Sequence, residues 1–487
     1  MLTVHRSETA SGLVGALAEE LSRVPPDPLT PEVVSVPTRG IERWLRQELA
    51  VLVAANGSAC GISANIHFPP PRRLIGQALA SIRGDEPGSD PWSANQLIWP
   101  VLTVLDQFLH EPWMTVPAWF LSGGSGPPGP GRRTMAAAKI SRLFARYDTE
   151  LPDLIRGWAK GSDIGPDGAP LGSAHAWQAE FWRQVREVVG VPSLAESLDG
   201  LIVEMGAHPE RLELPERVCF YGLTAMPSGH LEVISTIARH RDIHLFVLHP
   251  SDDWWQKTDE SLVHASPPSQ LRSRSSALGA ANRLLESWGR DVHELQTLLS
   301  RVRTDRQVHH LAPLPGSDSL LRTLQQRIRL NVGTGWTPDS ERQVLSVHDV
   351  SVRLHSCHGS ARQVEVARDA ILHAMVDDPT LEPRDILIMC PDVETYAPLI
   401  DAAFHPDRPG EGGIPDIRIR TADRAPVKEN PLAALAMQVL EIAGGRATAG
   451  SVVELMTRMV VLSRVTTASR FRTSVSIRSM WSPNSAS

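Results

Sequence analysis

The residues best suited to grip a phosphate backbone in this chain are arginines in two short runs and one helix face. After the β-rich run Val33–Val36 comes a turn at Pro37–Gly40, then a helical pattern from Ile41. Ile41, Trp44, Leu45, Leu49 and Leu52 fall on one side of that helix, and Arg39, Arg43 and Arg46 on the other. Thr38 opens it. A second run, Arg72 and Arg73, closes the polyproline segment Pro69–Pro71. The third set is Lys139, Arg142 and Arg146, which share one helix face in a stretch without an acid from Arg132 to Tyr147. Guanidinium groups at such spacing make charge-assisted hydrogen bonds to phosphate oxygens. A solvated surface helix has the same spacing, so spacing alone leaves both readings open.

Other chemistries lack their residues. Only four of the 48 basic residues are lysines: Lys139, Lys160, Lys257 and Lys428. None follows a glycine, so no phosphate-binding GK[ST] loop can be assembled. None has Asp or Glu two positions earlier, which removes the [DE]xK pattern of many Mg²⁺-dependent nucleases. No catalytic residue is assigned, and no cofactor is expected in this chain. Cys60, Cys219, Cys357 and Cys390 form no CxxC pair and read as buried free thiols. His240, His244 and His249 run from a helix end into a strand, where alternate side chains diverge. His355, Cys357 and His358 lack a second ligand pair nearby. No metal is expected.

The chain has 487 residues, 42% of them apolar, with a net charge of −7. That allows several domains with a large core. Residues 458–487 hold five arginines and no acid, so the remainder is more acidic still. Nucleic-acid binding must then come from local arginine groups rather than a global field. No apolar run reaches eighteen residues and no signal-peptide pattern opens the chain, so the expectation is a cytoplasmic protein with no membrane partner.

The elements that must position these residues alternate. Leu2–His5 reads as a strand, Ser7–Gly12 as a turn and Leu13–Leu21 as a helix. Residues 92–210 read as helical, with Trp92–Leu109 and Met135–Tyr147 as helices and 121–133 as a mobile connector. Trp177, Phe181 and Trp182 stand at helical spacing as core packing. Strand Arg217–Tyr221, helix Gly229–Arg239 and strand Ile243–Leu248 argue for a parallel sheet. Residues 251–281 are Ser-, Pro- and charge-rich and read as poorly ordered. Residues 282–299 read as helical. A second α/β unit follows, with strands Val352–Ser356 and Ile386–Cys390 and helices Ala361–Met375 and Tyr396–Phe404. Cys357–Ser360 lies between strand and helix. The end, from 457, reads as a basic disordered tail or a frameshifted terminus.

Three blocks, VPTRGIERWLRQEL with GISANIHFPPP, RVCFYGLTAMPSGHLEVI with IHLFVLHP, and VRLHSCHGSARQVEVARDAIL with DPTLEPRDILIMCPDVETYAPLI, resemble the RecC family, the gamma subunit of exodeoxyribonuclease V, in consistent order. The resemblance implies an α/β, helicase-like fold (a P-loop NTPase-like fold without the P-loop). It implies a first α/β domain (1A) from 1–91 plus 211–302, an inserted all-helical domain (1B) at 92–210, a linker at 303–345 and a partial second α/β domain (2A) at 346–456. The implied role is a non-catalytic DNA-binding and scaffolding subunit that guides single-stranded DNA during double-strand-break processing. RecB-like and RecD-like motor and nuclease subunits, DNA ends and single strands are the implied partners, with ATP and Mg²⁺ used by those subunits. Thr38, Arg39 and Arg43, then Arg72 and Arg73, are the implied strand contacts. A truncated, non-functional fragment, or an active helicase or nuclease, remains the alternative.

Overall fold

A computed structural model describes the chain except residues 24–28, 56–62, 85, 87, 123–129, 263–278, 317, 334–345, 405–416, 418, 420, 422–430, 445–448, 451 and 458–487. It divides into two compact units, Met1–Arg353 and Leu354–Ser487. The first is built on a six-stranded sheet: β1 (Leu2–Ser7), β2 (Glu32–Ser35), β3 (Ile66–His67), β4 (Arg217–Tyr221), β5 (Asp242–Leu248) and β6 (Arg306–His309). Its order is β3-β2-β4-β5-β1-β6, and every pairing is parallel. Parallel neighbours need crossovers, so helices cover both faces and the inner strands must be apolar on both. All six residues of β1 are buried, its polar Thr3, His5, Arg6 and Ser7 included.

Alternation sends successive residues to opposite faces. Leu2, Val4, Val218, Phe220, Ile243 and Leu245 join one core, with α3 (Pro71–Arg83), α9 (Leu194–Ala207) and α10 (Ser228–Ile237) packed on it. Val34, Val36, Cys219, Tyr221 and Phe246 join the other, under α1 (Ala10–Leu21) and α2 (Arg39–Ala55). Proline opens α3, where its missing N–H is not needed, and Gly84 closes it in the left-handed conformation.

Between α3 and β4 lie α4 (Ile98–Phe108), α5 (Thr115–Ser122), α6 (Pro130–Glu150), α7 (Pro152–Ala159) and α8 (Trp177–Val189). They share a separate core in which Phe144, Trp158, Phe181 and Trp182 are fully buried. Phe181 and Trp182 therefore pack as their helical spacing predicts.

The structure departs from the sequence expectations in four places. Residues 252–262, expected to be poorly ordered, form α11 (Asp252–Leu262) and bury Trp254 and Trp255; 263–278 lie outside the described residues. Of the connector 121–133, residues 121–122 end α5 and 130–133 begin α6, while 123–129 lie outside the described residues. The 303–345 linker contains β6, which pairs with β1, and a helix at Leu320–Arg329. The expected strands Val352–Ser356 and Ile386–Cys390 are not assigned as strands and pair with no strand among the described residues. Ile386–Cys390 keeps a β-like alternation, with Ile386, Ile388 and Cys390 half-buried and Leu387 and Met389 exposed. Its backbone has no described neighbour to form a ladder. In the second unit helices Gly359–Asp377 and Val393–Phe404 pack around Val364, Ile400 and Phe404, and a further helix spans Pro431–Gly444. The tail 458–487 lies outside the described residues. No helix among the described residues is long and apolar enough to cross a membrane.

Candidate nucleic-acid interface

The first two arginine runs meet at the strand-end edge of the sheet. Val36 N–H donates to the Pro69 carbonyl at 3.2 Å, which joins the chain leaving β2 to the chain entering α3. Two residues beyond Val36, Thr38 caps α2: its Oγ1 accepts from Ile41 N–H at 3.3 Å and its carbonyl from Glu42 N–H at 3.2 Å. Arg39, Arg43 and Arg46 are exposed. They differ in partners. Arg46 pairs with Glu42 at 3.1 Å and lies over the Phe68 ring at 4.7 Å, so its charge is locally compensated. Arg39 and Arg43 have no carboxylate partner among the described residues.

Arg72 and Arg73 occupy the first turn of α3, exposed and with no acid in that turn. Cations there oppose the positive end of the helix dipole, a placement disfavoured by about 0.3–1 kcal/mol each. Arg72 reaches across to α6 and ion-pairs with Glu150 at 3.8 Å, and Glu150 also accepts from Arg146 at 3.0 Å. Two guanidinium groups, 65% and 62% exposed, thus share one carboxylate and leave an excess positive charge. Hydrogen bonding to Glu150 holds the Arg146 guanidinium protonated even more firmly than usual. Below them, His230 in the first turn of α10 is held neutral mainly by burial, with the Arg72 charge helping, and its pKa falls to about 4.

Lys139, Arg142 and Arg146 are all exposed along α6. Lys139 lies two turns from Arg146, about 10 Å along the axis, with its ammonium 5.8 Å from the Phe120 ring centre. The structure therefore brings the β2–α2 turn beside the start of α3, and Arg72 beside Arg146. Lys139 stands farther along the same helix face. Glu150, which joins Arg72 to Arg146, was missed by sequence reasoning; its place four residues after Arg146 was the available signal.

The loop after β1 is shaped differently. Thr9 caps α1 by accepting from Gly12 N–H at 3.2 Å, and a Cβ on Gly12 would stand 2.5 Å from Ser7 Oγ. Glu8 is buried beside this helix start, bonded to the His309 ring and accepting from Ala312 N–H at 3.2 Å. Arg6 pairs with Asp252 and stacks over Trp255 at 5.0 Å. A fixed carboxylate thus sits where a helix start would otherwise favour an anion. Among the cysteines, Cys219 is buried, its thiol pushed up to about 12, and Cys357 and Cys390 are half-buried; Cys60 lies outside the described residues.

Residues 2–331 match the family described as RecC, N-terminal domain. The chain is 35% identical over 483 residues to the RecBCD enzyme subunit RecC of Mycolicibacterium smegmatis, covering 95% of this chain and 41% of that one. It is 36% identical over 467 residues to the protein of the same name from Mycobacterium tuberculosis, with 93% and 40% covered. Against the Escherichia coli protein identity is 25% over 476 residues, with 90% and 41% covered. The chain spans about two fifths of the length of these relatives.

Proposed function

The chain belongs to the RecC family, and from that premise we propose that it is the non-catalytic, DNA-guiding part of a RecBCD-type complex in the cytoplasm. In this reading the six-stranded unit is a helicase-like domain (1–91 with 211–302, extended by β6) that has lost its phosphate loop. The helices of 92–210 form an inserted domain, and 346–456 begins a second helicase-like domain. RecB-like and RecD-like subunits supply ATP hydrolysis, Mg²⁺ chemistry and cleavage, and this chain scaffolds them and holds one separated strand.

One observation carries the reading: Arg72 and Arg146 converge on a single carboxylate at the edge where the Thr38–Arg39 turn also lies. An exposed surplus of guanidinium groups attracts phosphates, and the absence of base-reading amides or aromatics in VPTRG and PPPRR favours backbone contact over sequence readout. The buried Glu8 in the first loop supports a passive role, because polyphosphate there would face a fixed negative charge.

The test is co-purification with RecB-like and RecD-like subunits, followed by single-strand binding of the assembled complex over a salt series. Stable assembly with a steep salt dependence is expected. Failure to assemble, or nucleotide turnover by the purified chain alone, would overturn the proposal.

A further inference from the structure

Three histidines lie in a row across adjacent strands, on the sheet face under α1. His244 of β5, His5 of β1 and His310, just after β6, are stacked with ring centres 5.3 Å apart in each neighbouring pair. The parallel register places them so: Thr3 pairs with His244 and Arg6 with His309, which puts the three imidazoles on diagonal positions of one face. His5 Nε2 stands 3.0 Å from His244 Nδ1, and His5 Nδ1 stands 3.0 Å from His310 Nε2. From above, the last turn of α1 lowers Glu20 onto the pair. His5, His244 and Glu20 are 3%, 5% and 6% exposed, and their ligand atoms all lie within 4.8 Å of one another.

Hydrogen bonding among the rings leaves the carboxylate unexplained. Glu20 Oε2 is buried and accepts no hydrogen bond, with only the Arg23 guanidinium ion-paired beside it at 2.8 Å. Arg23 is mostly exposed, and the nearby Arg217 spends a hydrogen bond on the Glu20 backbone carbonyl rather than its side chain. A buried carboxylate oxygen without a hydrogen bond is costly, and a single exposed guanidinium offsets that only in part. It is accounted for if the group is a ligand.

We propose that His5 Nε2, His244 Nδ1 and a Glu20 carboxylate oxygen bind one divalent transition ion of the zinc class, with His310 orienting His5 from behind. Two imidazoles and a carboxylate suit zinc, with a water as fourth ligand. The 3.0 Å nitrogen separation opens only slightly to reach the edge of about 3.3 Å that a tetrahedron with Zn–N of about 2.0 Å requires. His310 then accepts the Nδ1–H of His5, the usual outer partner of a ligating imidazole. Among the described residues this is the one cluster of its kind. The ion's role is structural: it ties β1, β5 and α1 together.

The full chain, stripped with chelator, is titrated with Zn²⁺ and, as a spectroscopic probe, with Co²⁺. About one equivalent should bind, with the intense visible bands of a low-coordinate Co²⁺ site and a rise in melting temperature. Glu20→Gln, nearly isosteric, and His244→Ala should each weaken binding at least 10-fold, and His310→Ala by about 10-fold. His208→Ala, outside the cluster, should leave it unchanged. No stoichiometric binding, or binding that survives Glu20→Gln in a folded protein, overturns the proposal. Should His244→Ala fail to fold, Glu20→Gln and the Co²⁺ spectrum decide alone.

Discussion

Arg39 and Arg43 lack what Arg46 has, the Glu42 carboxylate that neutralises it and the Phe68 ring beneath it. In the assembled complex, Arg39→Ala and Arg43→Ala should each flatten the log K versus log salt slope for single-stranded DNA by roughly 0.7. Arg46→Ala should change it much less; an equal change for all three would show that helix charge in general, not those two positions, meets the phosphates. Glu150→Gln gives the opposite sign. It frees both Arg72 and Arg146, so affinity should rise and the slope steepen; weaker binding would remove this pair from the interface. The first arginine set was legible in the sequence because three- and four-residue spacing is a local property. The joining of Arg72 to Glu150 and Arg146 was not, since α3 and α6 lie far apart in the chain; only the Arg146–Glu150 spacing is local. The His5–His244–Glu20 cluster escaped for the same reason: each histidine looks isolated until strand register sets them side by side.

At the scale of elements, the helices between α3 and β4 rest on buried aromatics. Trp182→Ala should destabilise the chain by about 3–5 kcal/mol, read by denaturant unfolding, because a fully buried ring leaves a cavity. A loss below about 1 kcal/mol would mean that the surrounding helices collapse into the space. Ser193 caps α9 in a reciprocal capping box with Glu196, and Ser193→Ala should cost about 1 kcal/mol. The inner strands were readable because a sheet covered on both faces demands apolar runs such as VCFY and IHLFVL. β6 was not: Arg306–His309 is an edge strand with one partner, and RQVH carries no alternating apolar signal. α11 was hidden by its Ser- and Pro-rich sequel, although Asp252 and Asp253 suit a helix start. The strands of the second unit were expected from composition, yet a strand needs a neighbour, and sequence patterning cannot supply one.

For the whole molecule, buried neutral histidines set the response to acid. Burial lowers His5 and His249 to about 3 and His230 to about 4, from an ordinary 6.5. A base depressed in the folded state contributes stability that is complete above pH 6.5 and is lost as pH falls toward the folded value, at up to about 1.4 kcal/mol per pH unit for each group. Asp148 runs the other way. Burial raises it to about 6 despite the backbone N–H groups of Ala195 and Leu194, so its contribution is present at low pH and lost as pH rises through 6. The depressed histidines outweigh this one aspartate, and the melting temperature of chelator-treated protein should fall between pH 6.5 and 4. A flat or rising profile would contradict the burial of these rings.

The sheet's strand order also sets a timetable for synthesis. β1 leaves the ribosome before both of its sheet neighbours, which are drawn from 242–248 and 306–309. At about 5–20 residues per second, roughly 12–48 seconds pass before β5 can dock. Throughout that interval Leu2 and Val4 wait without a sheet to enter, a standing invitation to holdase chaperones. Stalled nascent chains should lose protease sensitivity near the N-terminus only once β5 has cleared the exit tunnel.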